Sequence, residues 1–208
     1  MARVLVADDH PLLRSGLRQL LDAEPGLEFA GEAADSDQVL AQIQTDCWDL
    51  VLLDLCMPGR GGMEVLREIR RTRPHLPVLI LSMHAEEQFA ARAIKAGASG
   101  YLSKTGTPAE VVSAIHKVLK GLKYVSPAVA GTLANSPLNG RPAHERLSDR
   151  EFQVMCKIAS GQTVSQIAAE ARLSVKTIST YRSRVLEKMN MRSNAELTRY
   201  AIQQGLVD

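Results

Sequence analysis

Short apolar runs alternate with amphipathic stretches through the first 120 or so residues. The runs at 4–7, 27–30, 50–53, 78–81 and 99–102 are strand-sized and bounded by turn residues, which predicts five β-strands. Segments near 11–22, 36–44, 62–72, 86–96 and 108–120 repeat apolar positions three and four apart, which predicts a helix after each strand. Strict β–α alternation of this kind predicts a doubly wound, five-stranded parallel sheet with helices on both faces. Pro11 suits the first turn of its helix, where no N–H donor is needed, and Gly97 suits a helix end.

The pattern changes after residue 122. Residues 123–145 hold three prolines, two glycines and few charges, the composition of a linker. A short helix at 127–134, packed on one domain, is the alternative. From 147 onward no strand pattern occurs, and segments near 149–159, 163–170, 174–189 and 193–203 read as four helices. The expected organisation is therefore an α/β domain over 1–122, a linker over 123–145 and a small all-α domain over 146–208.

Composition narrows the class. With 45% apolar and 23% charged residues in 208, the chain is not a disordered polymer, a collagen-like fibre or a coiled-coil rod. No apolar run approaches the roughly 18 residues that span a bilayer. Two acids at 8 and 9 interrupt any export signal, so a cytoplasmic protein that does not enter the membrane is expected. Cys47, Cys56 and Cys156 are odd in number and lack metal-ligand spacing, so they read as reduced thiols. Charge divides unevenly. Residues 1–123 carry 14 basic and 16 acidic side chains, whereas 146–208 carry 10 and 6, so the C-terminal piece is the one suited to a polyanion.

Polar residues cluster where the strands end. The first strand runs into Asp8 and Asp9, the third into Asp54, the fourth into Ser82, and Lys104 follows the fifth. In an open α/β sheet, ligands bind beyond the carboxyl ends of the strands, so these residues converge on one edge. Three neighbouring carboxylates repel unless a cation neutralises them. Hard oxygen donors suit Mg2+, and a carboxylate can act as a nucleophile toward phosphorus.

At these residues the chain resembles the receiver domain of two-component response regulators. The matching segments are V-L-V-A-D-D-H-P at 4–11, D-L-V-L-L-D-L-C-M-P-G at 49–59, V-L-I-L-S-M-H at 78–84 and G-A-S-G-Y-L-S-K at 97–104. The resemblance implies a flavodoxin-like fold in which Asp54 accepts a phosphoryl group from a sensor histidine kinase. It also implies Mg2+ held by Asp9 directly, by Asp8 through water, by Asp54, and by the backbone carbonyl of Cys56. Ser82 matches the hydroxyl that bonds the phosphoryl group, Lys104 the lysine that pairs with it, and Tyr101 the aromatic that reports the switch. Many receivers have proline after that lysine, with a cis bond. Here Thr105 follows, and a trans bond is expected. Cys56 and His84 flank the pocket, at positions that tune phosphoryl lifetime in the family. A redox role for Cys56 is a second reading.

In the C-terminal piece, T-V-S-Q-I-A-A-E-A-R-L-S-V-K-T-I-S-T-Y-R at 163–182 suggests helix, turn, helix, with the turn at 172–174 and Ser174 as N-cap. Ile167, Ala168 and Ala171 share a face of the first helix. At about 100° per residue, Val175, Ile178, Val185 and Met189 fall on one stripe, expected to face the core. Lys176, Ser179, Thr180, Ser183 and Arg184 lie opposite. L-S-D-R-E-F-Q-V-M at 147–155, I-A-S-G-Q-T-V-S-Q-I-A at 158–168 and L-S-V-K-T-I-S-T-Y-R at 173–182 resemble the LuxR/FixJ-type (NarL-type) helix-turn-helix. That resemblance covers 144–208. It implies that the third helix reads double-stranded DNA and that the fourth forms a homodimer. Ser179, Thr180 and Ser183 match the recognition positions, Lys176 and Thr177 lie nearer the phosphates, and Arg184 ends the polar face. Tyr181 replaces a common histidine and is expected at the helix edge.

Together these features point to a phosphorylation-controlled transcription regulator, not an enzyme with independent turnover. The unmodified receiver either masks the recognition helix or fails to dimerise. A constitutive DNA-binding regulator and an Asp-nucleophile phosphatase are the competing readings.

Overall fold

A computed structural model describes residues 1–45, 47–57, 60–82, 87–126, 129–130 and 142–207. The chain divides into two units, Met1–Ala134 and Asn135–Asp208.

In the first unit, β1 (Ala2–Ala7), β2 (Leu27–Ala33), β3 (Leu50–Asp54), β4 (Val78–Ser82) and β5 (Gly100–Ser103) form one parallel sheet in the order β2-β1-β3-β4-β5. The helices α1 (Pro11–Ala23), α2 (Ser36–Thr45), α3 (Gly62–Thr72), α4 (Glu87–Lys95) and α5 (Pro108–Leu119) alternate with the strands. The inner strands are apolar on both faces because helices cover both. Every residue of β3 and β4 is buried. Val4, Val6, Leu50, Leu52, Leu79 and Leu81 share a core with Leu17, Leu21, Ile115 and Val118 of α1 and α5.

Strand order reverses at β1, which lies between β2 and β3, so the crevice opens beyond the ends of β1 and β3. Register brings the polar ends together. Ala7 pairs with Leu53, and Ser82 pairs with Ser103. Gly62 lets α3 begin directly against β3. A Cβ there would lie 2.5 Å from Leu55 Cα and 2.7 Å from the Asp54 carbonyl oxygen.

The chain does not leave the sheet where its composition changes. The Tyr124 N–H donates to the Ser99 carbonyl and the Tyr124 carbonyl accepts the Tyr101 N–H, both at 3.0 Å, extending the edge beyond β5. Gly100 permits this approach, since a Cβ there would stand 2.8 Å from the Tyr124 carbonyl oxygen. Of the alternative helix at 127–134, only Val129 and Ala130 are described. Both are helical, and Val129 is buried. Most of the expected linker lies outside the described residues.

The second unit holds a 3-10 turn (Ala143–Arg146) and helices α6 (Asp149–Ala159), α7 (Val164–Glu170), α8 (Val175–Met189) and α9 (Asn194–Gln203). Hydroxyl N-caps start all four helices: Ser148, Thr163, Ser174 and Ser193. Ser148 with Glu151, and Thr163 with Gln166, complete capping boxes. Phe152, Met155, Ile167, Ile178, Val185 and Leu197 are buried. Val175 is not. Expected in the core, it is 51% exposed. Its direction lies about 60° from the stripe's axis, and among the described residues it is not part of the core that Ile178 joins.

Candidate functional site

Asp54 closes β3, and its side chain is buried. Its Oδ1 accepts the Cys56 N–H at 3.0 Å, which fixes the carboxylate at the sheet edge. Lys104 Nζ stands 2.8 Å from Asp54 Oδ2 and 2.7 Å from Asp8 Oδ2, and all three side chains are nearly inaccessible. The second Asp8 oxygen accepts the His10 N–H at 2.8 Å and lies 3.1 Å from His10 Nδ1. His10 Nδ1 also lies 2.9 Å from Asp9 Oδ1. Arg14 Nη1 donates to the Asp8 carbonyl at 2.7 Å, and Arg14 Nε pairs with Glu32 at 3.3 Å.

Of the remaining predicted residues, Ser82 and Cys56 lie at the same edge, and Tyr101 sits deeper in the sheet, opposite Ile80. Ser82 ends β4 fully buried, and its carbonyl accepts the Lys104 N–H at 2.8 Å, which brings the lysine to the pocket. Tyr101 is buried on β5, with its backbone paired to Tyr124. Cys56 is half-buried, two residues past Asp54. His84 lies outside the described residues. His10 and Arg14 were not anticipated. His10 follows the acidic pair directly, but adjacency alone states no role, and the Arg14 contact needs the fold.

Charge is unbalanced here. Two buried carboxylates share one ammonium. Burial pushes the Asp54 carboxyl above the ordinary range, and the Asp8 charge adds to this, against the pull of Lys104 and the Cys56 N–H. For Lys104, burial acts downward, but the two carboxylates outweigh it and raise its pKa. Donor atoms of Asp8, Asp9, His10 and Asp54 lie within 4.8 Å of one another. Asp8 Oδ2, Asp54 Oδ2 and Asp9 Oδ1 are buried at ion-pair distance from a cationic or ring nitrogen but lack an aligned hydrogen bond. Clustered carboxylate oxygens with such unspent lone pairs fit a hard divalent cation.

In the second unit, α7 and α8 are joined by a turn in which Arg172 adopts φ 52° and the Leu173 N–H donates to the Ala168 carbonyl at 2.9 Å. Lys176, Ser179, Thr180, Ser183 and Arg184 lie exposed on one face of α8. Thr177 is half-buried and belongs to the cap. Its N–H donates to Ser174 Oγ at 3.0 Å, and the two hydroxyls lie 2.8 Å apart. Tyr181 packs at the edge of the core formed by Val154, Ile158, Ile167 and Ile178. Lys188 pairs with Glu151 at 2.7 Å and Lys157 with Glu170. Among the described residues, Lys176 and Arg184 enter no ion pair, so their charges face outward.

Two family matches cover both units. Residues 4–116 match the response regulator receiver domain, and residues 145–201 match the bacterial regulatory proteins of the luxR family. The chain is a LuxR-family response regulator. Over 209 residues it is 39% identical to Response regulator UvrY of Escherichia coli (strain K12), covering 99% of this chain and 96% of that protein. Over 212 residues it is 38% identical to Response regulator GacA of Pseudomonas syringae pv. syringae, covering 100% and 99%. Among solved structures it is similar to RcsB from Salmonella enterica serovar Typhimurium, bound to promoter rprA in the presence of the phosphomimetic BeF3−. That match has 26% identity, a TM-score of 0.66, and covers 96% of this chain and 97% of that one. A LuxR-family response regulator from Aurantimonas sp. matches at 40% identity and a TM-score of 0.61, over 65% of this chain and 97% of that one. Receiver domains bind Mg2+ at an acidic pocket, and this response regulator carries such a cluster at Asp8, Asp9 and Asp54. Among the described residues, no helix is long and apolar enough to cross a membrane.

Proposed function

We propose that Asp54 accepts a phosphoryl group from a sensor histidine kinase, and that this modification controls DNA binding by the second unit. The observation that carries the proposal is Lys104 Nζ held between Asp54 and Asp8 at the topological switch point. In the transfer, an Asp54 carboxylate oxygen attacks phosphorus, the donor's P–N bond breaks and the histidine leaves. Mg2+, when bound by Asp8, Asp9, Asp54 and the Cys56 carbonyl, supplies the neutralising charge that lets the phosphoryl oxygens approach these acids. The residues do the rest by positioning. The Cys56 N–H orients Asp54, and Lys104 exchanges a carboxylate partner for a phosphoryl oxygen. Ser82 offers a hydroxyl to another phosphoryl oxygen, and Tyr101 on the next strand registers the change. The chain turns over only its own phosphoryl group, and slowly, so it is a switch and not an enzyme with a separate substrate.

For DNA, Lys176 and Arg184 contact phosphates, while Ser179, Thr180 and Ser183 face the base edges. Thr177 serves the same helix end through its cap. RcsB has been solved as two dimers bound to two parallel DNAs. By analogy this chain binds double-stranded DNA as a homodimer and regulates transcription, acting in the cytoplasm. The proposed domains are 1–122 and 146–208, joined through 123–145. Incubation with acetyl phosphate and Mg2+ tests the first step. The expected result is one phosphoryl group added per chain, absent in Asp54→Asn. Unmodified wild-type chain after treatment with its own kinase would overturn the proposal.

A further inference from the structure

We infer that Val175 reads a thymine methyl group in the major groove. The inference deepens the DNA-binding reading above and rests on it. Apart from Lys188, which pairs with Glu151, the exposed face of α8 comprises Val175, Lys176, Ser179, Thr180, Ser183, Arg184 and Glu187. Val175, Ser179 and Ser183 stand one turn apart, so the valine continues the row of recognition positions toward the helix start. It is the one apolar side chain on that face, and it is 51% exposed. A single exposed valine is ordinary on a protein surface, so its place carries the argument. In helix-turn-helix docking the N-terminal residues of the second helix approach the base edges.

The chemistry of the face points the same way. It holds no Asn or Gln for bidentate contact with adenine, and its cations sit at positions 176 and 184. The Thr180 hydroxyl donates to the Lys176 carbonyl at 2.9 Å, so its hydrogen is spent inside the helix. Two serine hydroxyls are weak discriminators, since Ser bonds to either base type. Thymine alone presents an apolar group in the major groove, and Val175 is the matching surface. The side chain is also fixed in advance. Ser174 and Thr177 lock the first turn, and a β-branched residue in a helix holds one dominant rotamer.

The test uses the full chain with acetyl phosphate and Mg2+. Bound duplexes are selected from random DNA, and each thymine of the selected site is then replaced by uracil, which removes only the methyl. At one thymine position the wild type is expected to lose about fourfold in affinity, the contribution of one buried methyl-sized group. Val175→Ala loses about as much on the unmodified site and no longer distinguishes thymine from uracil there. Val175→Ile, which keeps a branched apolar surface, retains the discrimination, and so does Ser179→Ala. The inference is overturned if no thymine methyl matters to the wild type, if Val175→Ala keeps wild-type sensitivity at every thymine, or if it weakens all sequences alike. If the wild type selects no sequence at all, the DNA-reading assignment itself fails and the inference falls with it. Selection by the wild type with an indistinguishable Val175→Ala sinks this inference alone.

Discussion

Asp8 shows what a single carboxylate does at this edge. With Asp54 it shares one ammonium, and with Asp9 it leaves oxygens poised for a cation. Mg2+ at about a hundredfold excess over its dissociation constant should stabilise the receiver unit by about 2.7 kcal/mol, since only the folded unit gathers these ligands. Asp8→Asn should lose most of that increment at the same Mg2+ concentration, as read by thermal melting. Glu151 makes a second, pH-dependent case. Burial pushes its carboxyl upward, but Lys188, at 2.7 Å, and the Ser148 contacts outweigh this, and its pKa lies below the ordinary value. The folded form therefore binds fewer protons than the unfolded one. The contribution is present above about pH 4.3 and is lost as pH falls through the lower, folded pKa. Glu151→Gln keeps a capping side chain but removes this titration, so its stability in acid should fall less steeply than that of wild type. Denaturant melts of the second unit across that range give the slopes.

At the scale of elements, the start of α3 is the tightest junction. Gly62→Ala places a methyl against Leu55 and Asp54 backbone, which cannot swing aside. A loss of about 1–3 kcal/mol is expected on chemical unfolding of the receiver unit, with weaker phosphorylation because β3 and Asp54 shift together. On α8 the two kinds of contact separate by variant. Lys176→Ala should weaken binding to all sequences alike and reduce the salt slope by about one. Thr180→Ala should change the preferred sequence, and an unchanged preference in selection experiments would refute its place at the base edges. The sequence pattern reached these elements because each strand is a short apolar run and each helix repeats at three and four. The same arithmetic failed at Val175, whose angle is marginal and whose burial depends on whether a neighbour reaches the first turn. It also could not tell that Thr177, a residue type suited to phosphates, is engaged by its own cap.

For the whole molecule, the acids and the lysine were legible because parallel strands deliver their ends to one edge, so a residue after each strand is also a residue at the site. What was not legible is contact between distant segments. Arg14 on the Asp8 carbonyl and Tyr124 on β5 depend on register, and Tyr124 sits in a stretch whose prolines and glycines read as linker. Tyr124→Pro removes the N–H that bonds Ser99. It should leave phosphorylation stoichiometry intact while shrinking the ratio of DNA affinities with and without acetyl phosphate, measured by fluorescence anisotropy.

That edge pairing has a mechanical consequence. The two bonds straddle Gly100 and join residue 124 to the strand that delivers Lys104. Under the proposed switch, any shift of β5 that follows Lys104 toward a phosphoryl oxygen is felt directly at the Tyr124 peptide, which those two bonds hold to the strand. The stretch that follows α5 is thus pinned to β5 through Tyr101, three residues before Lys104.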